Sequence, residues 1–262
     1  IIQTNLLELN LENFYDFWIC EEIGFENEKI RKFNPKEKLP NDISNLNIAV
    51  LLKREKDIYR KEFPLFGLKD DTFKTFEDRQ NLLTKREIRI QILADLELPE
   101  NGIIWDIGAG CGSIGLEALK LRPNLKLFCI DKRIGSKKLI SENARRLGVT
   151  PKDILEEDIN NLFNSNNITS LKKASRVIIG GCDKNTKLRI INELSKEMDF
   201  GDIVTIPLID IQNIKDLRES FKKNNFEVNL NLIQTYKSLS ISEGIRMEPN
   251  NPVFLLRGRK II

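Results

Sequence analysis

Two rhythms of apolar residues run along this chain. Near the amino end, "FWICEEIG" (17–24) and "LNIAVLLK" (46–53) read as strands, with the charged, proline-containing "RKFNPKEKLP" between them. They offer too few elements for a core of their own. "KREKDIYRKEFP" (53–64) reads as a polar linker. From residue 84 a helical spacing takes over in "TKREIRIQILADLEL", with Ile88, Ile92, Leu93 and Leu96 on one face. Thr84 followed by Glu87 fits a capping box, which sets the helix start at 84; Pro99 and Gly102 end it.

Strands and helices then alternate. Strands are predicted at 102–107, 126–131, 153–158, 176–181 and 202–208, with helices near 113–121, 135–147, 185–197 and 211–223. Such alternation specifies an α/β fold: a mostly parallel sheet covered by helices on both faces. Two longer strands, 226–240 and 251–260, have no helix between them and are expected to pair antiparallel at the sheet edge. This is the seven-stranded plan of a Rossmann-like class I methyltransferase dependent on S-adenosylmethionine (SAM), closed by a carboxyl-terminal antiparallel hairpin. The expected division is a partial unit with linker over 1–65 and a complete domain over 66–262.

The first sheet strand runs into "DIGAGCGS" (106–113). In an open parallel sheet, ligands bind beyond the carboxyl ends of the strands. Gly108, Gly110 and Gly112, with Ala109 and Cys111 between them, form a G-x-G-x-G turn behind Asp106. Alone, that turn suits a dinucleotide, a phosphate, SAM, or nothing but tight packing. The dinucleotide fingerprint needs a glycine where this chain has Ser113, which favours SAM over NAD. Asp131, ending the next strand, can accept from both ribose hydroxyls. Asp158 can accept from the adenine amino group, and the Ile159 amide can pair with a ring nitrogen.

Composition narrows the chemistry. The 262 residues hold 42 basic and 39 acidic side chains, a net charge of +3, too balanced for a nucleic-acid binder. The absence of histidine excludes Ser-His-Asp and Cys-His catalysis, and with no paired cysteines it argues against zinc and any other metal site. Cys20, Cys111, Cys129 and Cys182 read as reduced thiols of a cytoplasmic protein. No apolar run reaches the ~18 residues of a membrane span, and no leader is expected. Because the first residue is Ile1, the chain is expected to be a fragment or excised domain.

"LLTKREIR" (82–89), with "WDIGAGCGSIGLEAL" close behind, resembles the decarboxylating precorrin methyltransferases of cobalamin biosynthesis: the CbiT-type enzymes and the carboxyl-terminal half of fused CobL. The similarity extends through "FGLKDDTF" (66–73), "ISENARRLGV" (140–149), "VIIGG" (177–181) and "EGIRMEPNNPVFLLRGRK" (243–260). "FWICEEIGFENEKI" suggests the tail of a CbiE-type half, a remnant without its own cofactor region. The resemblance implies methylation of carbon 15 of a precorrin, with the acetate side chain on carbon 12 losing carbon dioxide. It implies a Thr84 contact to SAM and a glycine turn at Gly108–Gly112 with Asp131 as ribose acid. It also implies a homo-oligomer, commonly a tetramer, and a CbiE-type partner or fused half.

A tetrapyrrole with acetate and propionate arms needs cations. Lys85, Arg86, Lys184 and Arg246 are the candidates, with the Gly180–Gly181 backbone beside them. Glu87, Glu117 and Asp183 are candidate proton handlers. After Gly181 the sequence departs from the family, with Cys182, Asp183 and Lys184 where glycine or serine is usual. The alternatives are an RNA or small-molecule methyltransferase, a non-catalytic scaffold on the same fold, and a NAD-dependent reductase.

Overall fold

The computed structural model describes all residues except 1, 9–10, 13–14, 54–62, 80–82, 165–172 and 243. Most of the expected linker at 53–64 lies outside the described residues. The chain divides into two compact units, Ile1–Phe63 and Pro64–Ile262.

The first unit has helix α1 (Ile2–Glu8) and strands β1 (Tyr15–Glu21), β2 (Lys29–Phe33) and β3 (Asn47–Lys53). They form one antiparallel sheet in the order β2-β1-β3. Alternate residues of the central strand, Phe17 and Ile19, are buried with Leu6 of α1. This small core corrects the expectation that the segment has none. Strand β2 lies in a stretch of high charge. Its Arg31 is paired with buried Glu21, and its Lys32 with Asp16, so the charges become cross-strand partners.

The second unit carries α2 (Arg86–Asp95), β4 (Gly102–Ile107), α3 (Ser113–Leu121), β5 (Leu125–Ile130), α4 (Ser136–Leu147), β6 (Asp153–Leu155) and α5 (Ile159–Asn164). It continues with β7 (Arg176–Ile179), α6 (Lys184–Leu194), β8 (Ile203–Leu208), α7 (Ile214–Lys223), β9 (Phe226–Ile233), β10 (Tyr236–Ile241), β11 (Gly244–Pro249) and β12 (Val253–Lys260). Seven strands form one sheet in the order β6-β5-β4-β7-β8-β12-β9. Strands β4 to β8 pair in parallel, and β12 runs antiparallel to both β8 and β9. The mostly parallel class I architecture is therefore present, with an antiparallel pair at one edge.

The burial of each strand follows its place. β4, β5, β7 and β8 are buried on both faces and read as nearly continuous apolar runs. β9, at the edge, alternates between covered and exposed positions. Ile104, Leu127, Ile178, Val204 and Leu256 are fully buried, each contributing about 1.5–3 kcal/mol on transfer from water. Among the described residues, no helix is long and apolar enough to cross a membrane.

Two expectations need correction. The predicted strand 226–240 is broken: β9 ends at Ile233, and Tyr236–Ile241 turns back on β11 as a separate two-stranded sheet. Helix α2 begins at Arg86, its N-cap is Lys85, and no side chain caps it, so the Thr84–Glu87 capping box is not formed.

Candidate active site

Strands β4, β5 and β7 run parallel in register, with Ile107 opposite both Ile130 and Ile179. Whatever follows them therefore emerges side by side: the glycine turn after β4, Asp131 after β5, and Gly180 after β7. The turn is fastened from behind. Gly108 and Ala109 donate their amides to the Ile130 carbonyl at 2.8 and 3.2 Å, and Gly112 donates to Ala109 at 2.8 Å. Gly108, Gly110 and Gly112 all have positive φ, a region that L side chains disfavour.

Two of these positions show what the glycines are for. A Cβ on Gly108 would lie 2.8 Å from the Gly181 nitrogen, and one on Gly180 would lie 2.7 Å from the Gly108 oxygen. The two loops touch backbone to backbone. A Cβ on Gly110 would meet nothing within 4 Å, and neither would one on Gly181. The turn is thus packed tight at Gly108 and open at Gly110. That is the form of a cradle for a ligand approaching the backbone, so the residues present fit SAM.

Asp131 grips the same turn. Its Oδ2 accepts from the Gly110 amide at 2.7 Å and its Oδ1 from the Arg133 amide at 2.9 Å. A carboxylate has about four acceptor positions, so two remain for ligand hydroxyls. Asp106, by contrast, is buried behind the turn, and its Oδ2 accepts from the Gly115 amide at 3.1 Å. Burial raises its carboxyl to about 7, opposed by the Gly115 bond and reinforced by the Asp131 charge. Cys111 is buried in the turn, and its carbonyl accepts from Asn143 at 2.9 Å.

Asp158 follows β6 and begins α5. Its Oδ1 accepts from the Asn160 backbone amide at 2.9 Å and from Asn160 Nδ2 at 3.1 Å, while Lys132 lies 3.4 Å from Oδ2. The Asn160 backbone bond, with help from Lys132, holds its carboxyl below the usual range. The Ile159 side chain is buried in the core.

The substrate-side candidates are placed less uniformly. Lys85 lies 3.9 Å from Asp70. Arg86 donates through Nε to the Gly67 carbonyl at 2.7 Å and lies 3.9 Å from Glu87. Lys184 is paired with Asp216 of α7. Arg246 sits on the exposed strand β11, 3.5 Å from Glu248. Asp183 is the N-cap of α6: its carboxylate accepts from the Thr186 amide at 3.0 Å and the Thr186 hydroxyl at 2.6 Å. These bonds hold its carboxyl low, so it is an anchor rather than a proton donor.

Sequence reasoning missed the largest polar feature near the site. Arg89 of α2 is fully buried. Its Nε lies 3.1 Å from Glu117 of α3, and its Nη1 is 2.7 Å from Asp70 and 2.6 Å from the Thr84 carbonyl. Its Nη2 donates to the Leu68 carbonyl. Glu117 in turn accepts from the Leu68 amide at 2.9 Å. Glu117 is therefore locked in the interior, which removes it as a proton handler. Thr84 is held through its backbone by the same arginine, and the network ties segments 68–70 and 84 to α3. The signal in the sequence is a glutamate inside the otherwise apolar "SIGLEAL" and an arginine between Ile88 and Ile92.

Segment 74–78 is bound to α4 and to the turn after β5. Asn143 of α4 bonds both the amide and the carbonyl of Lys74, at 2.8 and 2.9 Å. The Arg133 guanidinium lies over the Phe76 ring at 4.0 Å and pairs with Asp78. Three of the thiols are disfavoured as thiolates. Burial pushes Cys182 up to about 11 and raises Cys111 and Cys129.

Residues 74–255 match the precorrin methyltransferase domain family. A protein of Saccharolobus solfataricus named probable cobalt-precorrin-6B C(15)-methyltransferase (decarboxylating) is 29% identical over 197 residues, covering 74% of this chain and 96% of that protein. A Salmonella typhi protein named cobalt-precorrin-6B C(15)-methyltransferase (decarboxylating) is 25% identical over 193 residues, covering 74% of this chain and 96% of that one. The crystal structure of precorrin-6y C5,15-methyltransferase from Geobacter metallireducens superposes with a TM-score of 0.66 at 25% identity, covering 76% of this chain and 100% of that one.

Proposed function

The chain belongs to the precorrin methyltransferase family, and on that premise we propose that it transfers a methyl group from SAM to carbon 15 of a precorrin, while the acetate side chain on carbon 12 loses its carboxyl as carbon dioxide. The observation that carries the reading is the glycine turn, open at Gly110 and gripped by Asp131. Bound there, SAM supplies a methyl group on a sulfonium sulfur, open to in-line attack by an electron-rich carbon.

Each residue has a defined task. Asp131 accepts from the ribose hydroxyls, Asp158 from the adenine amino group, and the Ile159 amide donates to the ring. Thr84, Gly108, Ala109, Gly110, Cys111 and Gly112 form the wall around the methionine part, and Asp106 supports the turn from behind. An anion held against a bound sulfonium would stabilise the ground state and slow methyl transfer. The turn presents neutral backbone there, and Asp106 is kept behind it with a weakened acidity. Positioning alone can supply about 7–11 kcal/mol. A chain without histidine suits a reaction in which the conjugated macrocycle serves as nucleophile and electron sink.

Lys85 and Arg86, at the start of α2, are proposed to hold carboxylate arms of the tetrapyrrole, with the Gly180–Gly181 backbone as the facing wall. Lys184 and Arg246 can join them by leaving Asp216 and Glu248. The free cysteines suit a cytoplasmic setting. The exposed Ile245 and Met247 on β11 support self-association into an oligomer such as a tetramer. The sheet built from "FWICEEIGFENEKI" is proposed as the remnant of a CbiE-type half, with a partner of that type supplying carbon-5 methylation.

Mass spectrometry of the purified protein with SAM and a precorrin substrate tests the proposal. The expected product has gained a methyl group and lost carbon dioxide. Production of the demethylated cofactor with another acceptor, and none with precorrins, would overturn it.

A further inference from the structure

An unbroken line of hydrogen bonds runs from the adenosine end of the site to the loop facing the methyl-transfer end. Asn160 uses both protons of its amide nitrogen, one to Asp158 Oδ1 at 3.1 Å and one to the Thr186 hydroxyl oxygen at 3.1 Å. The Thr186 hydroxyl passes its own proton to Asp183 Oδ2 at 2.6 Å. Donors and acceptors alternate with no ambiguity, because an ionised carboxylate at either end can only accept. Asp183 closes the loop that starts at Gly180. That loop is also pressed against Gly108 and held by the Lys187 ammonium, which donates to the Cys182 carbonyl. Arg189 fixes the middle of the line through the Asn160 side-chain oxygen at 3.1 Å.

We propose that Thr186 is a positioning residue that couples cofactor occupancy at Asp158 to the order of the Gly180–Asp183 loop, the wall against which the tetrapyrrole is held. The inference rests on the SAM reading and deepens it. A ligand amino group on Asp158 fixes that carboxylate and, through Asn160 and Thr186, the cap of α6. The tetrapyrrole then meets a loop already ordered and loses less entropy on binding. By linkage, the tetrapyrrole tightens the cofactor by the same factor. Neither Asn160 nor Thr186 needs to touch a reacting atom.

Amide hydrogen exchange of the full chain, with and without saturating S-adenosylhomocysteine, tests this without any turnover. In the wild type the ligand is expected to slow exchange at Gly181–Asp183 by about fivefold or more. In Thr186→Val, which keeps the shape and the backbone bond to Asp183, that slowing is expected to fall below about twofold. Thr186→Ser restores it, and Asn160→Ala, cutting the line one step earlier, loses it too. Ligand-induced protection unchanged in both Thr186→Val and Asn160→Ala would overturn the coupling while leaving the cofactor reading intact. A wild type that does not bind S-adenosylhomocysteine would overturn both.

Discussion

The two sides of the proposed site, cofactor and substrate, are built differently. The cofactor side is backbone: three positive-φ glycines, a carbonyl at Ile130 that ties the turn down, and one carboxylate that grips an amide. The substrate side is side chains, and most already have work. Arg86 holds Gly67, Lys184 holds Asp216, and Asp183 caps a helix. A site made of backbone is set once the fold is set, because it has no rotamers to lose. A site made of long cations is adjustable, and its residues must exchange one partner for another when substrate arrives.

Breaking the support beneath both sides has the largest expected effect. Arg89→Met leaves Glu117 buried without its cation, and the cost is about 3–5 kcal/mol. Thermal denaturation reads this as a fall of several degrees; an unchanged midpoint would mean that the network is dispensable. Next comes the cofactor side alone. Asp131→Ala is expected to weaken SAM by about 1.5–3 kcal/mol, the range for hydrogen bonds to a charged group. Calorimetry checks it, and an unaltered dissociation constant removes Asp131 from the site.

The contact between the two sides ranks third. Gly180→Ala drives a Cβ into the Gly108 carbonyl, and overpacking of that kind costs about 1–3 kcal/mol. Chemical denaturation should show it together with weaker cofactor binding; a variant with wild-type stability would show that the loops can separate freely. The smallest effect belongs to the exposed cation. Lys184→Met breaks the surface pair with Asp216 and removes one proposed substrate cation, so the Michaelis constant for the tetrapyrrole should rise by about two- to fivefold. An unchanged constant would remove Lys184 from the set of substrate ligands.

The same contrast explains what could be read from the amino acids in order. Strand, turn and acid at 102–113 and 126–131 are local, so "IIWDIGAGCG" and "LFCID" carried both the paired strands and the turn that Asp131 holds. The plan of five parallel strands and an antiparallel edge followed from hydrophobic period alone. Strand β2 was hidden because its charges are satisfied only by Glu21 and Asp16 on the neighbouring strand. The β10–β11 hairpin was hidden because it is exposed and has no buried alternation to betray its turn. Arg89 and Glu117 are 28 positions apart, and no spacing rule joins an arginine on one helix to a glutamate on the next. Thr84 fitted a capping pattern, yet the helix begins after Lys85 and the arginine network holds Thr84 by its carbonyl.

The central claim is that the open bend at Gly110, held by Asp131, receives the adenosyl sulfonium. Calorimetric titration of S-adenosylhomocysteine into the wild type and Gly110→Val tests it most directly. Binding by the wild type and none by a folded Gly110→Val is the expected result, since the added side chain would occupy the space now empty beside the turn. Equal affinity in the two proteins would contradict it.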